Sequence, residues 1–490
     1  MEKAKVTILP NGVRVATQVL SGAVTATCGI WAAAGSCNDR WPGAHGAAHF
    51  LEHLAFKGSA AHPQQAAMER AVEQRGTQLH AYTSREHSCY FARGLGADAA
   101  ANTALVADLV LRPLHAPAKV DAERSTIVRE MDEVAGVPEE VVLDMLHACV
   151  FGRAHTFGRP ILGTPASVRA IRRADLQEHL ARCYTAPRTV FAAAGAVRHE
   201  DVVAVARQYF PARPVRPVSP FIPRVPAPAP KPAARHFACA ECPALLDTNP
   251  QRTTERDPMC YAVVGAAGCA ASSSVARLSR LRLCGARNEQ QQRVRDHGAW
   301  LVLQALLGSS ASSADAAFMY DPYTGVAARL HARGLVRRAH AVYLPYSDRS
   351  VFGVYYEAPA SAAAAVCRTV VAEYARLARP GRLGADELAR AKQLAKRQLI
   401  LTTTSTTAAL CEELGRQCLL TGRCVPADEV CRAIDALGPR DVQQHAWRGL
   451  TACSRAPVPF ALITTNAKQL LQQRRIPTAD FVSSLSYDAL

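Results

Sequence analysis

The sequence predicts an α+β fold of two homologous α/β-roll domains, each a mostly antiparallel sheet packed with helices, joined by a proline-rich linker. Length is the first indication, because 490 residues exceed the ~250–300 at which a single core stops growing. The second is the segment 211–232, whose nine prolines disfavour helix and inner strand. The third is a repeat near the end of each half, DLQEH before RTVFAAAG and DVQQH before PFALITT. We predict a domain over 1–212, a linker over 213–236 and a homologous domain over 237–490.

Strands in the first half are predicted where apolar and polar residues alternate, with a turn at Asn11-Gly12 inside the first strand. Helices are predicted where apolar residues recur every three or four positions. The predicted strands cover 5–20, 23–34, 78–84, 88–94 and 189–195. The predicted helices cover 46–57, 63–75, 101–112, 119–135, 138–150, 173–183 and 200–209.

The second half follows the same alternation of strands and helices, as a duplication requires. Its predicted strands cover 260–265, 340–346, 350–357 and 459–465. Its predicted helices cover 296–307, 362–378, 384–401 and 440–450. Residues 240–295 show no clear period, so we predict a divergent or loop-rich segment there.

Composition excludes several classes of protein. The chain is 49% hydrophobic and 20% charged, without an apolar run long enough to span a bilayer, which excludes an integral membrane protein. Its net charge is +16, yet residues 1–212 carry 22 Lys and Arg against 20 Asp and Glu, so the excess lies in the second half. No basic stripe with interleaved aromatic residues accompanies this charge, so nucleic-acid binding is not predicted.

The N-terminus and the cysteines indicate a reducing compartment. MEKAKVTILP passes directly into strand-like alternation without an apolar signal core, so secretion is not predicted. The sixteen cysteines are irregularly spaced, as buried thiols would be. Cys239 and Cys242 are three positions apart, with Cys260 and Cys269 further along the sequence. A zinc site of four cysteines would need a second closely spaced pair, which is absent, so a metal site is not predicted there.

The segment GAHGAAHFLEHLAFKG carries the clearest chemical signal. On a helix, His49, Glu52 and His53 share one face, because they are spaced three and four residues apart. Two imidazoles are ligands that Zn²⁺ prefers, and a catalytic site adds a third protein ligand and leaves one position for water. Glu52 would act as the general base that takes a proton from this water. The arrangement is the inverted form of the common His-Glu-x-x-His motif.

A third ligand must come from elsewhere in the chain. DAERSTIVREMDEV offers Glu123 and Glu130, which are seven residues apart and therefore two turns along one helical face. Glu130 suits the role of ligand, and Glu123 could orient one of the ligands without binding the metal itself. Glu133 lies one turn beyond Glu130 and is the competing candidate.

The motifs together resemble a known family. HFLEHLAFKG, AYTSRE, ERSTIVREMDEV, EEVVLDMLH, FGRPILGT and YTAPRTVFAAAG are similar to the mitochondrial processing peptidase β-subunit family of the pitrilysin-like clan, over residues 5–210. The resemblance implies that His49, His53 and Glu130 bind Zn²⁺. It also implies that Glu52 is the catalytic base and that Glu123 is the accessory carboxylate.

An acidic segment agrees with the substrate class that the resemblance implies. Eight acidic residues lie between 121 and 144, and Glu140 and Asp144 present two carboxylates on one helical face, which suits a guanidinium group. A solvated helix face is the alternative. In the family, the residues that match Glu140 and Asp144 bind the arginine just before the cleavage site of a presequence. Phe56 matches the aromatic residue that contacts the substrate residue after that site.

Two positions depart from the family's pattern. TQLHAYTSREHSCYF alternates like a hairpin, and the resemblance makes its first strand an open edge onto which a peptide adds. His80 stands there in place of the usual Asn. In the second half, Arg337 stands where many relatives of the clan carry Tyr, and no histidines have ligand spacing, so this domain is predicted to bind no zinc.

The resemblance implies a zinc metalloendopeptidase that removes presequences together with a homologous α subunit, in the mitochondrial matrix. The alternative is a core subunit of the respiratory cytochrome bc1 complex (complex III), at the matrix face of the inner membrane, with or without cleavage. Larger oligopeptidases of the clan are disfavoured by length, because their chains are about twice as long.

Overall fold

A computed structural model describes residues 3–210, 237–241, 258–269, 286–308, 325–347, 349–450 and 460–464, together with 472, 476 and 477. The described strands are β1 (Lys5–Ile8), β2 (Arg14–Val19), β3 (Thr25–Ala32), β4 (Gln78–Thr83), β5 (Ser88–Leu95), β6 (Thr189–Gly195), β7 (Phe237–Glu241), β8 (Met259–Cys269), β9 (Arg338–Pro345), β10 (Arg349–Pro359) and β11 (Phe460–Thr464). The predicted linker over 213–236 lies outside the described residues.

Helices alternate with single strands or groups of strands along the described chain. In the first half they are α1 (Ala47–Ala55), α2 (Gln65–Glu73), α3 (Ala99–Leu111), α4 (Pro117–Ala135), α5 (Pro138–Phe151), α6 (Pro165–Ala170), α7 (Arg173–Cys183) and α8 (His199–Tyr209). In the second half they are α9 (Ala286–Leu307), α10 (Gly325–Ala332), α11 (Ala360–Ala378), α12 (Ala385–Thr404), α13 (Thr407–Thr421), α14 (Ala427–Asp435) and α15 (Pro439–Leu450). None of these described helices is long and apolar enough to cross a membrane.

The two sheets have the same topology. The first has the order β1-β2-β6-β3-β5-β4, and the second has the order β7-β11-β8-β10-β9. In both sheets the first and last strands of the repeated unit pair in parallel, β2 with β6 and β7 with β11, and the other neighbours in the repeat are antiparallel. Apart from β1, each strand of the first sheet therefore has a counterpart in the second. This confirms the predicted α+β class with a duplicated domain.

The first sheet is covered by helices on both faces. Along β3 the side chains alternate, so that Ile30 is buried in the core that contains Phe50 of α1, and Trp31 is buried in the core that contains Leu414 of α13. Helix α13 belongs to the second half of the sequence and contacts β2, β3 and β6. The reciprocal case is α5, which contacts β8 and β11 of the second sheet.

The two compact units therefore do not follow chain order, because each of them includes a segment from the other half of the sequence. One unit comprises 1–131, 160–227 and 399–427, and the other comprises 132–159, 228–398 and 428–490. The predicted domains 1–212 and 237–490 follow chain order, so they assign α5 and α13 to the opposite units. The difference arises because each of these helices buries its apolar face on the sheet of the other half.

The prediction for residues 240–295 is corrected in part. Helix α9 begins at Ala286, ten residues before the predicted start at 296, and β8 extends to Cys269. The first turns of α9 read ARNEQQQR, a polar run without apolar periodicity that nevertheless contains good helix formers. Short or polar helices were also missed elsewhere, namely α6, α10 and α14, together with α13.

Candidate active site

Helix α1, which carries the His-x-x-Glu-His motif, begins at a tightly built turn. Its N-cap Gly46 has φ 97°, and a Cβ there would lie 2.6 Å from the carbonyl oxygen of Leu162. The side chain of Asp39 accepts hydrogen bonds from the backbone N–H groups of Gly46 at 2.7 Å and Ala48 at 3.0 Å. This buried carboxylate satisfies N–H groups that the helix leaves unpaired and so fixes where α1 starts.

Three of the predicted ligands meet between α1 and α4. His53 Nε2 lies 2.9 Å from Glu130 Oε2, and His49 Nε2 lies 3.5 Å from Glu130 Oε1. One ligand atom from each of the three residues lies within 4.8 Å of the others. Glu133 is not part of this cluster, so the structure brings Glu130 rather than its competitor to the histidines.

The second predicted carboxylate of α4 lies behind the cluster. Glu123 Oε2 is 3.2 Å from His53 Nδ1, and Glu123 Oε1 is 2.9 Å from Lys57 Nζ. The Glu123 side chain is only 7% exposed, so the contact is largely shielded from water. A carboxylate on Nδ1 holds the proton on that nitrogen and directs the lone pair of Nε2 toward Glu130.

The electrostatics of the cluster favour a cation. The rings of His49 and His53 hold the pKa of Glu130 well below its usual range, although burial opposes them. Burial lowers the pKa of His53, but the hydrogen bonds and charges of Glu130 and Glu123 outweigh it and raise the pKa. Two carboxylates therefore converge on one imidazole, and their negative charge would be balanced by a proton or by a metal ion.

Glu52 lies on the same helix, and one oxygen of its carboxylate has no hydrogen-bond partner among the described residues. Its Oε2 is buried and makes no hydrogen bond with any described residue. A buried carboxylate oxygen without a donor is costly, so such an oxygen calls for a ligand, a water or a catalytic role. His49 Nδ1 is also buried without a partner among the described residues.

The cluster fits Zn²⁺ by its donor set. Two imidazole nitrogens and one carboxylate oxygen are a set that catalytic zinc uses, with the fourth position left to water. Glu123 supplies the outer hydrogen bond that orients such a ligand. The unpartnered Glu52 oxygen adds a group that can receive a proton at the same site.

The remaining predicted residues occupy different surroundings. Phe56 follows α1 and packs against Met68, Leu105 and Leu109, so part of its ring belongs to a small hydrophobic core. Glu140 and Asp144 lie on α5 and belong to the other compact unit. Glu140 is exposed, whereas Asp144 is partly buried.

The strand predicted to accept a peptide lies at the edge of the first sheet. β4 ends the strand order and pairs only with β5 among the described strands. His80, which replaces the usual Asn, is exposed on β4 and stacks on Phe91 with ring centroids 5.2 Å apart.

Two polar residues at the site were missed by the sequence analysis. Asp39 does not occupy the N-cap position of α1, and its contact depends on the folded turn rather than on spacing. Lys57 stands inside the motif segment, but nothing local indicates that it pairs with Glu123 on another helix.

Comparison with known families matches both halves of the chain. Residues 14–165 match the family described as Insulinase (Peptidase family M16). Residues 170–395 match the Peptidase M16 inactive domain. The segment with the His, Glu and His motif thus lies in the first match, and the half predicted to bind no zinc lies largely in the second.

Similar proteins cover most of the chain. The probable mitochondrial-processing peptidase subunit beta of Arabidopsis thaliana is 32% identical over 445 residues, which are 91% of this chain and 76% of that protein. The mitochondrial-processing peptidase subunit beta of Neurospora crassa is 31% identical over 447 residues, covering 91% and 85%. The human protein of the same name is 29% identical over 447 residues, covering 90% and 81%.

Solved structures share the fold. A chain of complex III2 from Candida albicans has a TM-score of 0.70 and 19% identity, over 98% of this chain and 99% of that chain. The peptidase M16 inactive domain from Pseudomonas fluorescens has a TM-score of 0.71 and 17% identity, over 94% and 97%. At these identities the likeness concerns the fold alone.

Proposed function

This chain belongs to the M16 peptidase family, and from that membership we propose that it is a zinc metalloendopeptidase of the processing-peptidase β type. The proposed reaction is the removal of N-terminal presequences from proteins imported into mitochondria. The observation that carries the proposal is the convergence of His49, His53 and Glu130 at the helix that also carries Glu52, whose buried Oε2 has no donor among the described residues. The names of the relatives in Arabidopsis thaliana and Neurospora crassa support the substrate class.

Each residue of the cluster has a distinct part in the proposed mechanism. His49, His53 and Glu130 would hold a zinc ion, and Glu123 keeps the proton of His53 on Nδ1. Zn²⁺ bound by these residues would supply Lewis acidity and would lower the pKa of a water molecule at the site. Glu52 accepts a proton from water at Oε2 and later delivers it to the leaving amine of the peptide.

Substrate recognition in this proposal uses an extended basic peptide. The peptide adds as a strand to the free edge of β4, where backbone groups lack a partner strand among the described residues. Glu140 and Asp144 recognise an arginine near the scissile bond, and the ring of Phe56 meets the residue after it. A homologous α subunit is the proposed partner, and the mitochondrial matrix is the proposed location.

A core subunit of complex III is the second candidate role. The chain of the Candida albicans complex that shares this fold over nearly its whole length motivates it. The two roles are compatible, because the residues proposed for catalysis are all present. Native purification followed by identification of the accompanying chains separates them, since an α subunit alone supports the free peptidase and other complex III subunits support residence in the complex.

Metal analysis of Glu130 variants tests the proposed centre. We expect zinc in the purified chain, loss of most of it in Glu130→Gln, and retention in Glu133→Gln, because Glu130 lies against both histidines and Glu133 is not part of their cluster. Glu133→Gln is the matched control on the same helix. A chelator-free preparation that contains no zinc would overturn the metallopeptidase assignment. Loss of zinc in Glu133→Gln but not in Glu130→Gln would mean that Glu133 is the third ligand.

A further inference from the structure

The edge strand β4 is hydrogen-bonded to α13, a helix from the other half of the sequence. Side chains alternate along β4, so that Leu79 and Ala81 pack in the core on the α1 side of the sheet. Tyr82 points to the opposite face and packs against the core that contains residues of α13. The edge strand therefore has one face toward the catalytic helix and the other toward α13.

The contact between Tyr82 and α13 is a short hydrogen bond. The Tyr82 hydroxyl donates to Oε1 of Glu412 at 2.5 Å, and the indole N–H of Trp31 donates to Oε2 at 3.1 Å. Both oxygens of the carboxylate thus accept a hydrogen bond from a neutral donor. Trp31 lies on β3, so Glu412 links the edge strand to the centre of the sheet.

The network continues into the turn after β4. His87 Nε2 lies 3.0 Å from the Tyr82 hydroxyl, and Ser84 Oγ lies 3.0 Å from His87 Nδ1. Burial lowers the pKa of His87 to about 3, so the ring is neutral and one nitrogen carries the proton. Because the Tyr82 hydroxyl donates to Glu412, Nε2 of His87 donates to the Tyr82 oxygen. The Ser84 hydroxyl donates to the backbone carbonyl oxygen of His87 at 2.8 Å, which holds the turn closed.

Packing fixes the position of Glu412 on its helix. A Cβ on Gly415 would collide with the indole ring of Trp31, so α13 lies directly on β3. At the end of α13, the buried guanidinium of Arg14 donates to the carbonyl oxygens of Cys418 at 2.5 Å and Leu419 at 3.2 Å. The helix is held along its length and presents the carboxylate of Glu412 at one place relative to β4.

We propose that Glu412 is a positioning residue for peptide binding, which acts through Tyr82 to hold the edge strand β4 and its turn in register to accept an extended substrate. The inference rests on the proposed function for the strand-addition step, but the hold on β4 is independent of catalysis. Glu412 lies outside the metal cluster, so its loss should weaken peptide binding and leave the chemical step intact.

Kinetics of three variants test the inference in the full chain with its partner subunit. In Glu412→Gln, in Tyr82→Phe and in the double variant, we expect the KM for a basic presequence peptide to rise roughly tenfold, the factor that corresponds to about 1.4 kcal/mol. We expect kcat to change less than about twofold and zinc content to stay at the wild-type level, because an effect on binding alone moves KM. The double variant should show no larger effect than the greater single change, since both remove one interaction.

Hydrogen exchange supplies a readout that does not depend on activity. Amides of the β4–β5 hairpin should exchange faster in Glu412→Gln and Tyr82→Phe than in wild type. The control is Tyr374→Phe, which removes another buried tyrosine hydroxyl, bonded to the carbonyl of Val264 at 2.8 Å in the other unit. It should leave both the exchange of the hairpin and KM unchanged.

The outcomes separate this inference from the proposed function. Unchanged hairpin exchange in both variants overturns the positioning role, whatever the activity of the protein. Unchanged KM in an active enzyme, or equal effects on kcat, overturns it as well. A wild-type protein that neither binds nor cleaves basic peptides defeats the proposed function, while faster hairpin exchange in the variants still supports the hold of Glu412 on β4.

Discussion

At the scale of single residues, Glu52 differs from the other carboxylates near the histidines because its Oε2 has no donor among the described residues. We expect Glu52→Gln to keep zinc and to bind peptide, yet to lose roughly 10²–10⁴-fold in turnover, the usual cost of removing a general base. Gln has the same shape but cannot take a proton from water. Single-turnover cleavage with measured zinc content checks this, and near-normal cleavage would place the base elsewhere.

Glu140 and Asp144 form the other residue-scale hypothesis, an arginine-reading pair on α5. Glu140 is exposed and Asp144 is partly buried, and the neighbouring Glu139 lies 2.9 Å from His340 and 3.3 Å from Arg338. We expect Glu140→Gln/Asp144→Asn to lose most of the preference for a peptide with arginine over one with alanine. A hydrogen bond to a charged group contributes about 1.5–3 kcal/mol, or roughly 10–150-fold.

Cleavage of the two peptides by both enzymes measures that preference. The alanine peptide is the internal control, because its cleavage should change little in the double variant. An unchanged arginine-to-alanine ratio would mean that these carboxylates only form a solvated helix face. The arginine specificity would then have to come from the partner subunit.

At the scale of elements, α13 depends on a glycine at its contact with the sheet. Gly415 faces the indole of Trp31 without room for a Cβ. We expect Gly415→Ala to lower the free energy of unfolding by about 1–3 kcal/mol, the usual cost of overpacking, despite the better helix propensity of alanine. Chemical denaturation checks it against Gly384→Ala, where a Cβ meets nothing within 4 Å and the change should stay within about 0.5 kcal/mol.

The sequence predicted most elements because their periods are local properties. The hairpin of β4 and β5, helix α1 with the histidine motif and the first residue of β6 were predicted to within a few residues, and the family assignment is confirmed. Glu123 and Glu130 were predicted to share one face of a helix, and both contact His53. Contacts such as Asp39 with the start of α1 depend on how distant turns fold, and no local pattern encodes them.

Helix α13 shows where local reasoning ends. Its sequence TAALCEELGRQCLL has a glycine in the middle and cysteines at buried positions, so its periodicity is weak. Its partner is a sheet whose strands lie far away in sequence, and neither spacing nor composition in the second half indicates that contact. The hydrogen bond between Tyr82 and Glu412 depends on this long-range packing and has no local sequence signal.

At the scale of the whole molecule, the exchange of α5 and α13 predicts that the first 212 residues do not form a complete folding unit. The first compact unit includes 399–427, and without α13 the side chains of Trp31 and Val190, which are 1% and 0% exposed, would face water. Exposed apolar surface of this kind binds hydrophobic dyes and weakens cooperative unfolding. We therefore expect a fragment of residues 1–212 to bind such a dye strongly and to lack a sharp thermal transition.

Adding α13 back to that fragment tests whether the missing helix causes the loss of cooperative unfolding. Residues 399–427, joined after residue 212 by a flexible Gly/Ser linker, should reduce dye binding and restore a cooperative transition, because α13 again covers the sheet. Helix α5 lacks its own sheet in both fragments, so the difference between them reports on α13 alone. The same fusion carrying Gly415→Ala is the control and should restore less, since a Cβ at this position meets the indole ring of Trp31 and weakens the packing of the helix on the sheet. If residues 1–212 unfold cooperatively without α13, the first half is self-sufficient and the exchanged helix serves only to position β4.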